Sequence, residues 1–456
     1  MSQYILKNKD IDVLSFEITK KEFKSVLTDD TDFSQKIENI DIIKPELLPI
    51  NLNLDNIELN LNLWIKDRKI PENRQFVENI VATYSANGEE QLMDYIDISL
   101  GLSLNDSFWI VPANENYQWK DFNLYQNDFS EALEKAAFGE ELQRIQGFTS
   151  SPEYTTNGML KKCWHKENGQ IYLYKGASKQ YANGGKEAYS EYYMAQVAEI
   201  MGFECVPYDL KEFHGQLVSS CPIFTNENEG YAPMYKLFKT EEWKILQKAE
   251  LINAIAEFYA PRKLRDLMLF DALILNPDRH CGNFGLMINN DTNELLRPAP
   301  IFDNGYSMMN FLTLDELKDI KNAKIEKISS FGYSFDEQMK EAVEPRHIAN
   351  LRKLAQFEFK KHAEFNLGDE WLMPIQAHIQ DRANLAINLC KKKFDERFQY
   401  YIEKKDILTL EARQRYEKEI LKNYEALTEQ GIKFDDKQVK DIKSIYQAQG
   451  LSNMAR

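Results

Sequence analysis

The sequence is poor in the residues that build disulfide frameworks and zinc sites. Its five cysteines, Cys163, Cys205, Cys221, Cys281 and Cys390, are odd in number and widely dispersed, with no CxxC pair. Neither a disulfide scaffold nor a cysteine zinc site is expected, and a reducing, cytoplasmic setting is. Six histidines are scattered without an HExxH, and no glycine-rich dinucleotide fingerprint occurs. Zinc hydrolysis and Rossmann chemistry therefore have no support. No apolar run reaches the roughly 18 residues that a membrane span needs, and the opening MSQYILKNKD has no signal-peptide core. Positive charge is short as well. Against 72 Asp and Glu stand 56 Lys and Arg, a formal net charge of −16, which argues against a broad nucleic-acid surface tracking phosphates.

What the 456 residues do hold is apolar and aromatic mass, 43% hydrophobic with 23 Tyr and 26 Phe. That excludes a wholly disordered or low-complexity chain. Near the start, VLSFEI and IELNLNLWI alternate with Asp, Asn and Lys and read as strands. A helix is predicted over 73–96 after IPENR, and GLSLNDSFWIVP returns to strand or loop. MLKKCWHKENGQIYLYKG then places two extended runs around Glu167, Asn168 and Gly169, a hairpin. KEAYSEYYMAQVAEIMG reads as an amphipathic helix closed by Gly202, and CVPYDLKEFHGQLVSSCPIF as two strands turning at His214 and Gly215. This order predicts a small antiparallel sheet with one helix beside it. Beyond about Glu241 the periodicity is mainly helical. It is interrupted by a loop-rich window, 276–306, where GLMI and PAPIF flank NNDTNE as a second hairpin.

The sharpest local feature is NPDRHCGNFG, 276–285, followed by PIFDNG, 300–305. Asp278 and Asn283 lie five residues apart in one loop, and Asp303 returns after the hairpin. One carboxylate can orient a hydroxyl nucleophile while an amide oxygen and a second carboxylate hold Mg²⁺ against phosphates, which is the equipment of phosphoryl transfer. The plainer reading is that each residue caps a turn, the common loop use of Asp and Asn. It accounts less well for the ordered set.

These two segments resemble the catalytic and metal-binding loops of HipA-like serine/threonine kinases. The resemblance runs over about 147–307 through named motifs. It implies an α+β, bilobal protein-kinase-like fold: an accessory region of mixed strand and helix over 1–140, a small sheet-containing N-lobe over 141–235, and a predominantly helical C-lobe over 236–456. It implies ATP and Mg²⁺ as cofactors, Asp278 as the catalytic residue, and Asn283 and Asp303 as metal ligands. Arg279 and His280 become loop-holding residues. Upstream, YLYKG and SEYYMAQVAEIMGF match the strand lysine and its helix partner, Lys175 and Glu191, 16 residues apart, with Glu187 as the alternative one turn earlier. An amine held by a carboxylate counters phosphate charge while staying fixed. TTNGMLKK resembles the family's nucleotide loop, with Gly158 bringing backbone N–H groups near phosphate and Lys162 as the loop lysine.

In some relatives a hydroxyl of this loop is autophosphorylated. Thr155 is the preferred match and Thr156 the second, with Ser150 and Ser151 nearby and turn hydrogen bonding as the plainer role. A protein substrate is implied, and an antitoxin-like protein partner is left open by the same resemblance. The residues specify phosphoryl transfer more firmly than its recipient. A small-molecule or lipid kinase, and a catalytically weak nucleotide-dependent binding protein, stand as the rivals.

Overall fold

The structure, a computed structural model, describes residues 2–24, 31–81, 92–93, 96–140, 151–178, 185–320 and 326–449. Its strands gather toward the N-terminus and its long helices toward the C-terminus, a mixed α+β architecture. The first sheet is antiparallel, ordered β3-β2-β1-β4, from β1 (Ser2–Asn8), β2 (Ile11–Lys24), β3 (Thr31–Ile42) and β4 (Phe108–Pro112). VLSFEI lies in β2 as predicted. IELNLNLWI does not form a strand: it lies in the helix Ile57–Asp67. Its alternation also fits helical spacing. Leu61, Trp64 and Ile65 fall on one buried face, while Leu59 and Leu63 are each 52% exposed. The buried face joins the core beneath the first sheet, and packing decides the conformation.

The helix predicted over 73–96 is also revised. Two short helices, Val77–Val81 and Ile96–Ser99, occupy the span, with 82–91 and 94–95 outside the described residues. Residues 71–76 make turns instead, ending at Phe76 with φ 62°. Their neighbourhood has other hydrogen-bond partners: Ile70 N–H donates to the Tyr154 carbonyl at 2.9 Å, and Gln75 N–H to that of Met159 at 2.8 Å.

The second sheet, ordered β5-β6-β8-β7, is the predicted one: β5 (Lys162–Glu167), β6 (Gln170–Gly176), β7 (Asp209–Phe213) and β8 (Gln216–Pro222). Asn168 and Gly169, at φ 53° and 80°, make its first two-residue turn, the geometry that matches strand twist. The helix Glu187–Met201 packs on this sheet and stops at Gly202, φ 69°. A third sheet, β11-β10-β9, joins β9 (Glu229–Pro233), β10 (Gly285–Asn289) and β11 (Leu295–Pro298). The second hairpin is present, but its return strand is Leu295–Pro298 and not PAPIF. Pro298 and Pro300 lack the N–H groups a ladder needs. Beyond them only Ile301 bridges, in parallel, to Cys205.

The core does not divide at residue 140. One apolar cluster contains Leu6, Phe16, Ile65 and Phe138 together with Tyr154, Cys163, Tyr174 and Val218 of the second sheet and its approach. Polar ties extend the leading region further. Asn8 Nδ2 donates to the Asn290 carbonyl at 2.6 Å and Lys9 pairs with Asp291 at 2.6 Å, both at the β10–β11 turn. On the connection from β8 to β9 and the strand that follows, Thr225 Oγ1 donates to the Leu104 carbonyl at 2.6 Å and Tyr231 N–H to the Asn105 carbonyl at 2.7 Å. Trp119 Nε1 donates to Glu227 Oε1 at 3.0 Å, and the Trp109 ring lies 5.8 Å from that of Trp119. A second large apolar cluster, around Phe270, Ile375, Ile379 and Ile420 of Pro261–Ile274, Asp369–Lys404 and Leu410–Glu429, also takes in Tyr193, Met194 and Val197 of the helix Glu187–Met201. No helix among the described residues is long and apolar enough to cross a membrane.

Candidate functional site

Asp271 is a single carboxylate within the apolar run LMLFDALIL, 1% exposed. Burial at that price requires a partner, and the loop supplies it. The helix ends with Leu275 in the left-handed region, φ 54°, and Arg279, also 1% exposed, turns back so that Nε and Nη2 reach Asp271 at 3.0 to 3.2 Å. The same guanidinium donates to the Asn283 carbonyl at 3.0 Å, to the Phe302 carbonyl and to Asn304 Oδ1 at 2.9 Å. Burial disfavours the Arg279 cation, but Asp271 outweighs it and raises its pKa. Arg279 thus joins a helix end, the Asp278 loop and the Asp303 loop.

Asp278 is held through its backbone. Its N–H donates to Asn276 Oδ1 at 2.9 Å, and its carbonyl accepts from Asn283 Nδ2 at 2.8 Å. Among the described residues its carboxylate oxygens accept no hydrogen bond. Crowding by surrounding protein, and then the Asp303 charge, push the Asp278 carboxyl up, although the residue is exposed. Committing Nδ2 of Asn283 leaves its Oδ1 as the acceptor. His280 accepts the Gly282 N–H on Nδ1 at 3.0 Å, a turn-holding contact.

Lys175, on β6 and 9% exposed, donates to Glu191 Oε1 at 3.0 Å and to Asp303 Oδ1. Glu187 is occupied elsewhere, accepting Ser178 Oγ at 2.6 Å. Burial works against the Lys175 ammonium, and the Asp303 and Glu191 carboxylates overcome it, raising its pKa. Asp303 is desolvated too, yet Lys175 and then Lys162 hold its carboxyl well below the usual range. Its backbone sits at φ 57°, a left-handed conformation uncommon outside Gly, Asn and Asp. The Tyr208 hydroxyl supports it by accepting the Asp303 N–H at 3.0 Å.

The loop over 154–162 places Gly158 at φ 102°, where a Cβ would run into the Lys162 amine. Lys162 is 8% exposed, and among the described residues its amine has no ion-pair partner. Burial and then the Lys175 charge push its pKa down to about 7. An incoming anion would relieve both. Thr155 is buried, its hydroxyl donating to the Leu102 carbonyl at 2.7 Å; half-buried Thr156 donates to that of Pro152 at 2.6 Å. Ser151 is buried against Glu153, and Ser150 lies outside the described residues.

The donor set suits Mg²⁺ with a nucleotide. Asp303 and the Asn283 amide oxygen are hard oxygen donors of the kind Mg²⁺ takes alongside phosphate oxygens and water. Among the described residues no group of three or more His, Cys, Asp or Glu could hold a metal by itself, so phosphate and water must complete any shell. Sequence reasoning missed Asp271, Tyr208 and Asn304 as supports. A lone acid within LMLFDALIL was a readable signal for the first; nothing local marked Tyr208.

No protein-family model matches the chain, and no curated protein matches it. Among solved structures it is similar to the Helicobacter pylori proinflammatory kinase CtkA, at 15% identity and TM-score 0.40, over 51% of this chain and 94% of that one. It is also similar to a chain of the Shewanella oneidensis MR-1 toxin–antitoxin complex of HipA, HipB and operator DNA, at 11% identity and TM-score 0.45, over 98% of this chain and 96% of that one.

Proposed function

We propose that this protein is an ATP- and Mg²⁺-dependent kinase that phosphorylates Ser/Thr hydroxyls of protein, its own loop included. The observation that carries the reading is Lys175, bonded at once to Glu191 and Asp303. That arrangement fixes a cation beside a carboxylate suited to metal, next to a loop whose buried Lys162 has no ion-pair partner among the described residues. ATP supplies the phosphoryl group and Mg²⁺ offsets its charge. Lys175 and Lys162 would bind phosphate oxygens, and Asp303 and Asn283 would hold the metal. Asp278 would accept the hydrogen of the acceptor hydroxyl and orient its oxygen. Thr155 and Thr156 stand as the candidate autophosphorylation sites, and the resemblance extends the proposal to a protein partner of the antitoxin type.

The test is phosphosite-resolved mass spectrometry of wild type, Asp278→Ala and Asp303→Ala after incubation with ATP and Mg²⁺, with a protein panel present. Transfer should fall by about 10²-fold or more in both variants. Equal transfer by both folded variants would sink the assignment.

A further inference from the structure

The nucleotide-loop candidate is held from outside its own sheet. Residues 70–75 run beside 154–162, and two backbone hydrogen bonds fix the ends: Ile70 N–H to the Tyr154 carbonyl at 2.9 Å and Gln75 N–H to that of Met159 at 2.8 Å. Gln75 Oε1 accepts the Lys161 N–H at 3.4 Å. Across the neck of the loop lies the guanidinium of Arg74, 2% exposed. Nη1 donates to the Thr156 carbonyl at 3.0 Å and Nη2 to that of Lys162. Its buried charge faces Glu153, fully buried itself, whose Oε1 accepts the Trp164 N–H at 3.0 Å. A planar fork reaching two carbonyls is geometry that a lysine ammonium does not reproduce.

We infer that residues 70–75 form a fixed clasp on the nucleotide loop, and that Arg74 is a positioning residue setting ATP affinity by holding the backbone of Lys162. The inference rests on the kinase reading. A loop containing a glycine at positive φ has much freedom to lose when a ligand arrives, and a contact that removes this freedom beforehand strengthens binding without touching the ligand. Arg74 bonds Lys162 at its carbonyl while the amine stays over Gly158. The clasp therefore acts on where the amine is presented, not on the reacting atoms.

Titration calorimetry with a non-hydrolysable ATP analogue and Mg²⁺, paired with the ATP dependence of phosphate transfer, tests this on the full chain. Arg74→Met should weaken binding about 10-fold and raise the ATP KM correspondingly, with a smaller change in kcat. Arg74→Lys keeps a charge opposite Glu153 but reaches one carbonyl, and should recover part of the loss. Gln75→Ala buries no new charge and should cost about threefold. Should Arg74→Met fail to fold, the other two variants decide. Folded variants that bind the analogue as wild type does, or that lose kcat with KM unchanged, overturn the clasp alone. Wild-type protein that binds no ATP analogue overturns the kinase reading, and the inference with it.

Discussion

Glu191 Oε2 accepts the backbone N–H of Asn304 at 2.7 Å, while Oε1 of the same carboxylate takes the Lys175 amine. One side chain therefore links the strand lysine to the residue following Asp303. Ser190 adds to the link, donating to the Asn304 carbonyl at 2.7 Å. Glu191→Gln keeps the shape but removes the charge that balances Lys175. Transfer should fall about 10- to 100-fold in kcat, and the unfolding midpoint should fall as well, because the new amide N–H group must face either the Lys175 amine or the Asn304 N–H. A steady-state assay beside a thermal melt separates the two effects.

On the proposed kinase reading, Lys162 would make nucleotide binding sensitive to pH. Its folded pKa of about 7 lies below the unfolded value of about 10.4, so its penalty on stability is full below about pH 7 and fades as pH rises toward 10. A bound phosphate would restore the charge. Binding of ATP at pH 8 should take up nearly one proton, and at pH 6 much less. Calorimetry in buffers of differing ionisation enthalpy measures this, and Lys162→Met should abolish the difference.

Thr155 offers a contrast with its neighbour. Its buried hydroxyl faces two carbonyls, Leu102 at 2.7 Å and Pro152 at 3.3 Å, and neither would tolerate an anion. Thr155→Asp should destabilise the protein by about 3 kcal/mol or more, whereas half-buried Thr156→Asp should stay within about 1 kcal/mol. Urea denaturation gives both values. Phosphate on Thr155 would require the loop first to leave this position.

Arg279 supports the site without facing it. Arg279→Met leaves Asp271 buried and unpaired and frees the carbonyls of Asn283 and Phe302. The expected loss is about 3 to 5 kcal/mol, read from chemical denaturation. Asp271→Asn with Arg279→Met should recover part of it, because no buried charge then lacks a counter-ion.

Parts of this organisation were legible because they are local. Asn168-Gly169 and His214-Gly215 mark turns by their own conformational needs, and Gly202 ends its helix for the same reason. Asp278, Asn283 and Asp303 stood out by order in two short segments. The helix Ile57–Asp67 was hidden because its alternating leucines satisfy two periods at once. Residues 70–75 were hidden differently. Their shape answers to a loop 82 and 88 positions away, at Thr156 and Lys162, and no local pattern carries that information.

Trp119 gives the tie between the leading region and the β8–β9 connection an optical side. Its indole N–H rests on Glu227, with Trp109 edge-on beside it. The protein thus carries its own fluorophore pair at the joint between its sheets. A rearrangement of that connection would change the field around an indole.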